Sequence, residues 1–161
     1  MRLRETLLGL AVLGLVLCGV FGARGRATPV RAAVAAGDEL PDATFRDAVA
    51  ELDGVTLTLS VDPRPAVAFS SHRWRVRAVV RGVAVPMENG RLTFEMVMPM
   101  GDHRYRLVPV ADGWHEAEVV LPSCPSSKRR WFATLDGTIA GGHRTARFRI
   151  DLASAAPQPA S

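Results

Sequence analysis

Aromatic residues are scarce, at 6% of the 161-residue chain, and there are only two cysteines. The chain has a single long apolar run, which is too few for a multi-span membrane protein. Its hydrophobic content of 48% is too high for a disordered one. An excess of one charge is also missing where it would matter. The pI near 10 suggests a nucleic-acid binder. Residues 1–26, however, hold Arg2, Arg4, Arg24 and Arg26 against Glu5, a net of +3. Removing these from the totals of 20 basic and 16 acidic groups leaves 16 and 15, a net of +1 for the rest of the chain. Charge therefore gives no reason to expect DNA or RNA as a partner. The length suits one domain of ordinary size behind a leader.

What is present begins with that leader. Residues 7–23 carry no charge and follow the basic stretch MRLRE, the pattern of an export signal. Val20 and Gly22, or Gly25 and Ala27, would suit a cleavage site. The run is also just long enough to stay uncut as a single span. The reading adopted is a retained anchor over residues 1–23, with an extracytoplasmic (periplasmic) domain held at the inner membrane. Cys18 follows Leu17 rather than a small residue, which does not fit a lipidation site. Cys124 is then the sole thiol of the exported part, with no partner for an internal disulfide.

Residues 24–53 read as a linker rich in Ala, Gly and Pro, ending in one short helix over 42–52. Asp42 would be its N-cap, and Phe45, Val49 and Leu52 fall at helical spacing. From residue 54 the period becomes two. Val55–Val61, His72–Arg81, Leu92–Met98, Arg104–Val110, His115–Leu121, Arg129–Leu135 and Thr145–Asp151 read as strands, separated by Gly- and Pro-rich turns. Residues 54–152 thus form an all-β antiparallel sandwich of about seven strands, and 153–161 a disordered tail. Trp74, Val76, Ala78 and Val80 share one face and Arg73, Arg75 and Arg77 the other. The Arg face is expected to pair across strands with Glu95, Glu116 and Glu118.

If the strands alternate in direction, one end gathers His72, Met98, Met100, His103 and Cys124. The other end gathers Met87, His115 and His143. Thioethers, a thiol and imidazole outside the cytoplasm form a donor set suited to Cu(I). Against this, a stripe of Phe94, Met96, Met98 and Met100 ordinarily fills a core, and a lone turn histidine is ordinarily solvated. Met100 lies beyond Pro99 and is the least committed to the core. Cys124, in the loop PSCPS, suits a metal thiolate, a thiol-pairing or redox role, or a buried small residue, and Lys128, Arg129 and Arg130 nearby would lower its pKa. No CxxC, HExxH, nucleophile elbow, phosphate-binding Gly loop or catalytic carboxylate pair is present, which speaks against an enzyme.

The order FSSHRWRVRAVVRGVAV, LTFEMVMPMGDHRYRL, DGWHEAEVVLP, RRWFATL and TARFRIDL resembles the FixH/YtkA-like family of exported β-domains. The resemblance spans roughly residues 55–151. It implies an immunoglobulin-like sandwich behind an N-terminal membrane anchor, and a link to copper supply or assembly of haem–copper respiratory oxidases. The family's Met-Pro-Met turn falls on Met98, Pro99 and Met100, with His103 just after. The reading that follows is a non-enzymatic domain holding Cu(I) through Met100, His103 and Cys124, with Met98 and His72 as outer candidates. Its partner would be a respiratory complex or a copper chaperone. The alternative is an envelope interaction or structural module without metal, and a redox Cys124 is a third reading.

Overall fold

The computed structural model describes residues 39–153. The apolar run 7–23 and the tail from 154 onward lie outside the described residues. The chain is all-β. Its first strands are β1 (Ala48–Leu52), β2 (Val55–Asp62), β3 (Ser71–Val80) and β4 (Val83–Val85). Then come β5 (Met87–Glu95), β6 (His103–Arg106) and β7 (Val108–Pro109), followed by a single 3₁₀ turn at Ala111–Gly113. The last strands are β8 (Trp114–Val120), β9 (Arg130–Ile139) and β10 (Gly142–Asp151). One sheet runs β1-β2-β3-β8-β7, with β4 continuing beside β3 where β8 ends. The other runs β10-β9-β5-β6, and every ladder in both sheets is antiparallel.

Local chemistry accounts for the tight hairpins. Asp53-Gly54, Arg81-Gly82 and Ala140-Gly141 all have positive φ at both turn residues. That backbone matches the right-handed twist of the flanking strands, and glycine at the second position carries no Cβ to oppose it. The turn between the expected strands Arg129–Leu135 and Thr145–Asp151 therefore shrinks to two residues, and β9 continues to Ile139. β5 begins earlier than expected, at Met87, through a bulge between Glu88 and Arg91.

Residues 42–52 are not a helix, which corrects the reading from periodicity. Phe45 and Val49, two of the three residues of the helical stripe, are exposed. β1 instead buries Ala48, half-buries Ala50 and Leu52, and pairs with β2 from Ala48↔Leu59 to Leu52↔Val55. Asp42 does accept a hydrogen bond from the backbone N–H of Thr44 at 2.9 Å, the bond an N-cap would make. It closes a turn here, and the segment then joins the sandwich. Ala43 N–H donates to Arg149 O and Arg149 N–H to Pro41 O, so residues 41–43 border β10 before β1 enters the opposite sheet. The domain thus includes residues from Leu40 onward and not only from residue 54, and Ala153 still belongs to it through its bond to Ala66 O.

Both sheets contribute to one core. Leu57 and Leu59 of β2 and Trp74 and Val76 of β3 face Leu92 and Phe94 of β5, Trp131 and Leu135 of β9 and Phe148 and Ile150 of β10. The Trp74 and Phe94 rings meet edge to face across the sheets at 4.7 Å. Outside, the arginines find partners as expected of a solvated sheet face. Arg73 Nε lies 3.4 Å from Glu116 and Arg147 Nη2 lies 4.0 Å from Glu95. Arg75 packs over Trp114 and Arg147 over Phe132.

Candidate functional site

The antiparallel order places the connections 63–70, 96–102 and 121–129 at one end, beside residues 39–47 and 152–153. His72, Met98, Met100, His103 and Cys124 all lie there. They do not form one cluster.

His72, the first inward-facing residue of β3, is buried and fully occupied. Its Nε2 accepts from Val67 N–H at 2.9 Å, so its proton sits on Nδ1, 3.1 Å from Pro63 O. Both nitrogens hold the 63–70 connection in place, and neither is available to a metal. The methionines divide differently from the period-two expectation. The β5 ladder ends at Glu95↔Phe132, so the alternation does not reach Met98. Met96 and Met100 pack against the core, while Met98 is 40% exposed.

His103 opens β6 opposite Phe94, with its ring edge-on to Trp131 at 5.3 Å. Its Nε2 lies 2.9 Å from the Met100 carbonyl. A carbonyl only accepts, so Nε2 carries the proton and Nδ1 keeps the lone pair.

Cys124 is the centre of the second grouping. Its sulfur is 3.0 Å from Ser126 Oγ, and that hydroxyl is 3.5 Å from Met98 Sδ. The two sulfurs are therefore no further apart than the sum of those distances. A turn closed by Ser127 N–H on Cys124 O holds the loop in this shape. The Ser126 hydroxyl is the largest influence on the thiol and lowers its pKa. The Ser126 N–H adds to it, burial opposes it, and the N–H and charge of Lys128 act in the same direction as Ser126. The thiolate is thus stabilised by donors on its own loop. Pattern reading missed Ser126. Its signal was the serine two places after Cys124 in a Pro-bounded loop, a spacing at which a hydroxyl folds back on its neighbour.

The structure therefore brings Met98, Ser126 and Cys124 together, and separately Met100 and His103. Among the described residues no group of three or more His, Cys, Asp or Glu side chains is placed to hold a metal ion. A metal at this end would depend on thioether sulfur. Beside the loops runs an open groove of about 780 Å³, flanked by Phe45, Met96, Val97, Lys128 and Arg129.

At the opposite end, Met87 N–H donates to His115 Nε2 at 3.2 Å, while the buried Nδ1 has no partner among the described residues. Burial lowers the His115 pKa below its ordinary 6.5. The folded state thus resists a proton that the unfolded chain accepts below pH 6.5. Stability is whole above that pH and falls as pH drops from 6.5 toward the folded pKa, by at most about 1.4 kcal/mol per pH unit. Urea unfolding at neutral and mildly acidic pH should show this slope, and His115→Leu should reduce it. An equal slope in the variant would assign the loss to other groups.

Within the described residues no helix is long and apolar enough to cross a membrane. No protein-family model, curated protein or solved structure matches this chain.

Proposed function

We propose that the chain is a membrane-anchored, extracytoplasmic domain of immunoglobulin-like type that holds Cu(I) reversibly and hands it to a partner. The partner would be a copper chaperone or a respiratory oxidase under assembly, and the domain itself performs no catalysis. The strand order β1-β2-β3-β8-β7 against β10-β9-β5-β6 supports the immunoglobulin-like assignment. The observation that carries the metal reading is the meeting of Met98 Sδ and Cys124 Sγ at one hydroxyl. A thiolate and a thioether are soft donors of the kind Cu(I) selects, and few ligands are enough for it. Rotation of the Ser126 hydroxyl would free both sulfurs, and the exposure of Met98 suits ligand exchange with a second protein. On this geometry Met98 and Cys124 are the inner pair. His103, through Nδ1, and Met100 stand as neighbouring donors, and His72 is excluded.

The test is a Cu(I) competition titration of the reduced full-length chain in detergent. One equivalent should bind, weakened more than about tenfold by Cys124→Ser and by Met98→Leu, as expected when a ligand is lost from a site of few donors. His72→Gln should leave the affinity unchanged. Binding no tighter than to an unrelated control protein, or indifferent to both sulfur substitutions, would remove copper from the account. The second reading, an envelope interaction module without metal, is favoured by the exposed apolar residues that rim the same end.

A further inference from the structure

Phe45, Phe69 and Val97 are 76%, 68% and 78% exposed, and they sit on three different connections at the sulfur-bearing end. Phe45 and Val97 rim the open groove and Phe69 a smaller hollow beside Cys124, each with most of its side chain in solvent. Soluble domains seldom gather large apolar groups in this way without a use. Phe69 is costly twice over. Its backbone is left-handed at φ 61°, a conformation that a bulky residue occupies only at an energetic cost, yet its ring packs into no core. The bond from Phe69 N–H to Leu121 O at 2.8 Å holds it in that position.

The carboxylates that line the groove, Asp42 and Asp151, are paired, whereas Glu39, Asp62 and Glu118 elsewhere at this end have no cationic partner among the described residues. Asp42, Asp47, Asp102 and Asp151 are each taken up by an arginine: Arg149, Arg64, Arg104 and Arg130 respectively. Arg46, Lys128 and Arg129 have no carboxylate partner among the described residues. Apolar tips interleaved with unpaired cations are the composition of a surface that settles at the boundary of headgroups and acyl chains.

The path of the chain points the same way. Residue 39 enters the fold at this end, beside Asp42 and Arg149. Residues 24–38 separate it from the apolar run 7–23 and span roughly 50 Å at full stretch. An anchored chain therefore keeps this end within reach of the bilayer.

We propose that this end docks on an anionic lipid surface, with Phe45, Phe69 and Val97 entering the interface and Arg46, Lys128 and Arg129 facing the headgroups. Its orientation rests on the anchor reading, while the metal reading plays no part in it. A protein partner is the rival occupant. Lys128 and Arg129, which border the groove without carboxylate partners, and the entry of the chain at this end favour an anionic lipid surface.

The experiment reconstitutes the full-length chain in phosphatidylcholine vesicles with and without phosphatidylglycerol and follows amide hydrogen exchange. Alkaline extraction of the same vesicles reports separately on whether residues 7–23 anchor the chain. Exchange across 66–71, 96–102 and 124–130 should slow several-fold on the anionic vesicles alone. Lys128→Gln/Arg129→Gln should weaken that protection by roughly tenfold to thirtyfold, at about fivefold per cation near a charged surface. Phe69→Gly relieves the left-handed strain, so it should leave thermal stability equal or higher while reducing protection. Identical exchange on neutral and anionic vesicles would overturn the proposal, as would protection that survives these substitutions or appears only with an added protein partner. Loss of the chain on alkaline extraction with lipid-dependent protection retained would refute the anchor and leave the docking intact.

Discussion

Replacing Trp74 with alanine is expected to destabilise the domain by about 3–5 kcal/mol, the range for truncating a large aromatic in a packed core. Against a total of about 5–15 kcal/mol for an ordinary domain, that leaves little reserve. The indole is buried on β3 between Val61 and Ala117 of the neighbouring strands. It meets Phe94 of the opposite sheet edge to face, and Phe94 in turn meets Tyr105 at 5.8 Å. Removing it opens a cavity between two sheets whose strands are each held by hydrogen bonds, so the walls have little freedom to collapse. The indole N–H has no partner among the described residues, so part of what Trp74 contributes is offset by an unsatisfied donor. Trp74→Phe should therefore cost far less, about 1–2 kcal/mol, because it keeps an aromatic ring and removes the orphan N–H. Urea unfolding of the two variants beside the parent checks the pair of values. Equal losses would mean that the size of the cavity does not set the cost, against this account of the site.

The second large effect is at Asp42. This carboxylate receives the N–H and hydroxyl of Thr44, at 2.9 and 2.6 Å, and the Arg149 guanidinium. Thr44 Oγ1 accepts in turn from Asp151 N–H at 2.9 Å. One side chain thus ties the entry segment to β10, and the segment then continues into the opposite sheet. Burial alone would raise its pKa. The hydrogen bonds from Arg149 and Thr44 and the Arg149 charge outweigh burial and hold it at about 2, against an ordinary 3.8. The lowered value means that stability is fully present above pH 3.8 and is lost as pH falls through 2. Asp42→Ala should cost about 2 kcal/mol at neutral pH, a figure reduced from that of a buried pair because both partners are partly exposed. Asp42→Asn keeps the acceptor for Thr44 and should cost about 1 kcal/mol. Both variants should show a flatter stability profile between pH 3.8 and 2 than the parent, measured by denaturant unfolding at each pH. A parent-like acid slope in Asp42→Asn would place the proton uptake elsewhere.

These two residues also show what periodicity can carry. Trp74 alternates with arginines over a run long enough that only one face can be buried, so its place in the core follows from spacing. Asp42 is ambiguous from sequence because the bond it makes to Thr44 is the same in an N-cap and in an isolated turn. The decision came from Ala43 and Pro41 finding the open backbone of Arg149, a residue more than a hundred places away. Phe45 and Val49 supported the helix only because exposure cannot be read from spacing.

The methionines follow the same division. Period two runs through Phe94 and on to Met100 in the sequence, and nothing local marks where the strand stops. Its end is set by the partner, since the ladder with β9 ends at Phe132. Met98 is thereby released to solvent and Met100 turned to the core, the reverse of their expected roles. His72 reads as a free ligand until the 63–70 connection folds over it and uses both nitrogens.

By itself, then, the sequence determined the all-β class and the inward and outward faces of the alternating strands. Alternation acts within a few residues and needs no partner to be effective. Only the tertiary structure decided that residues 42–52 are a strand entry, that Met98 rather than Met100 faces Cys124, and that the same end carries apolar tips and unpaired cations. Each of these depends on where a distant strand ends or which backbone groups it leaves open, and that information exists only once the sheets have paired.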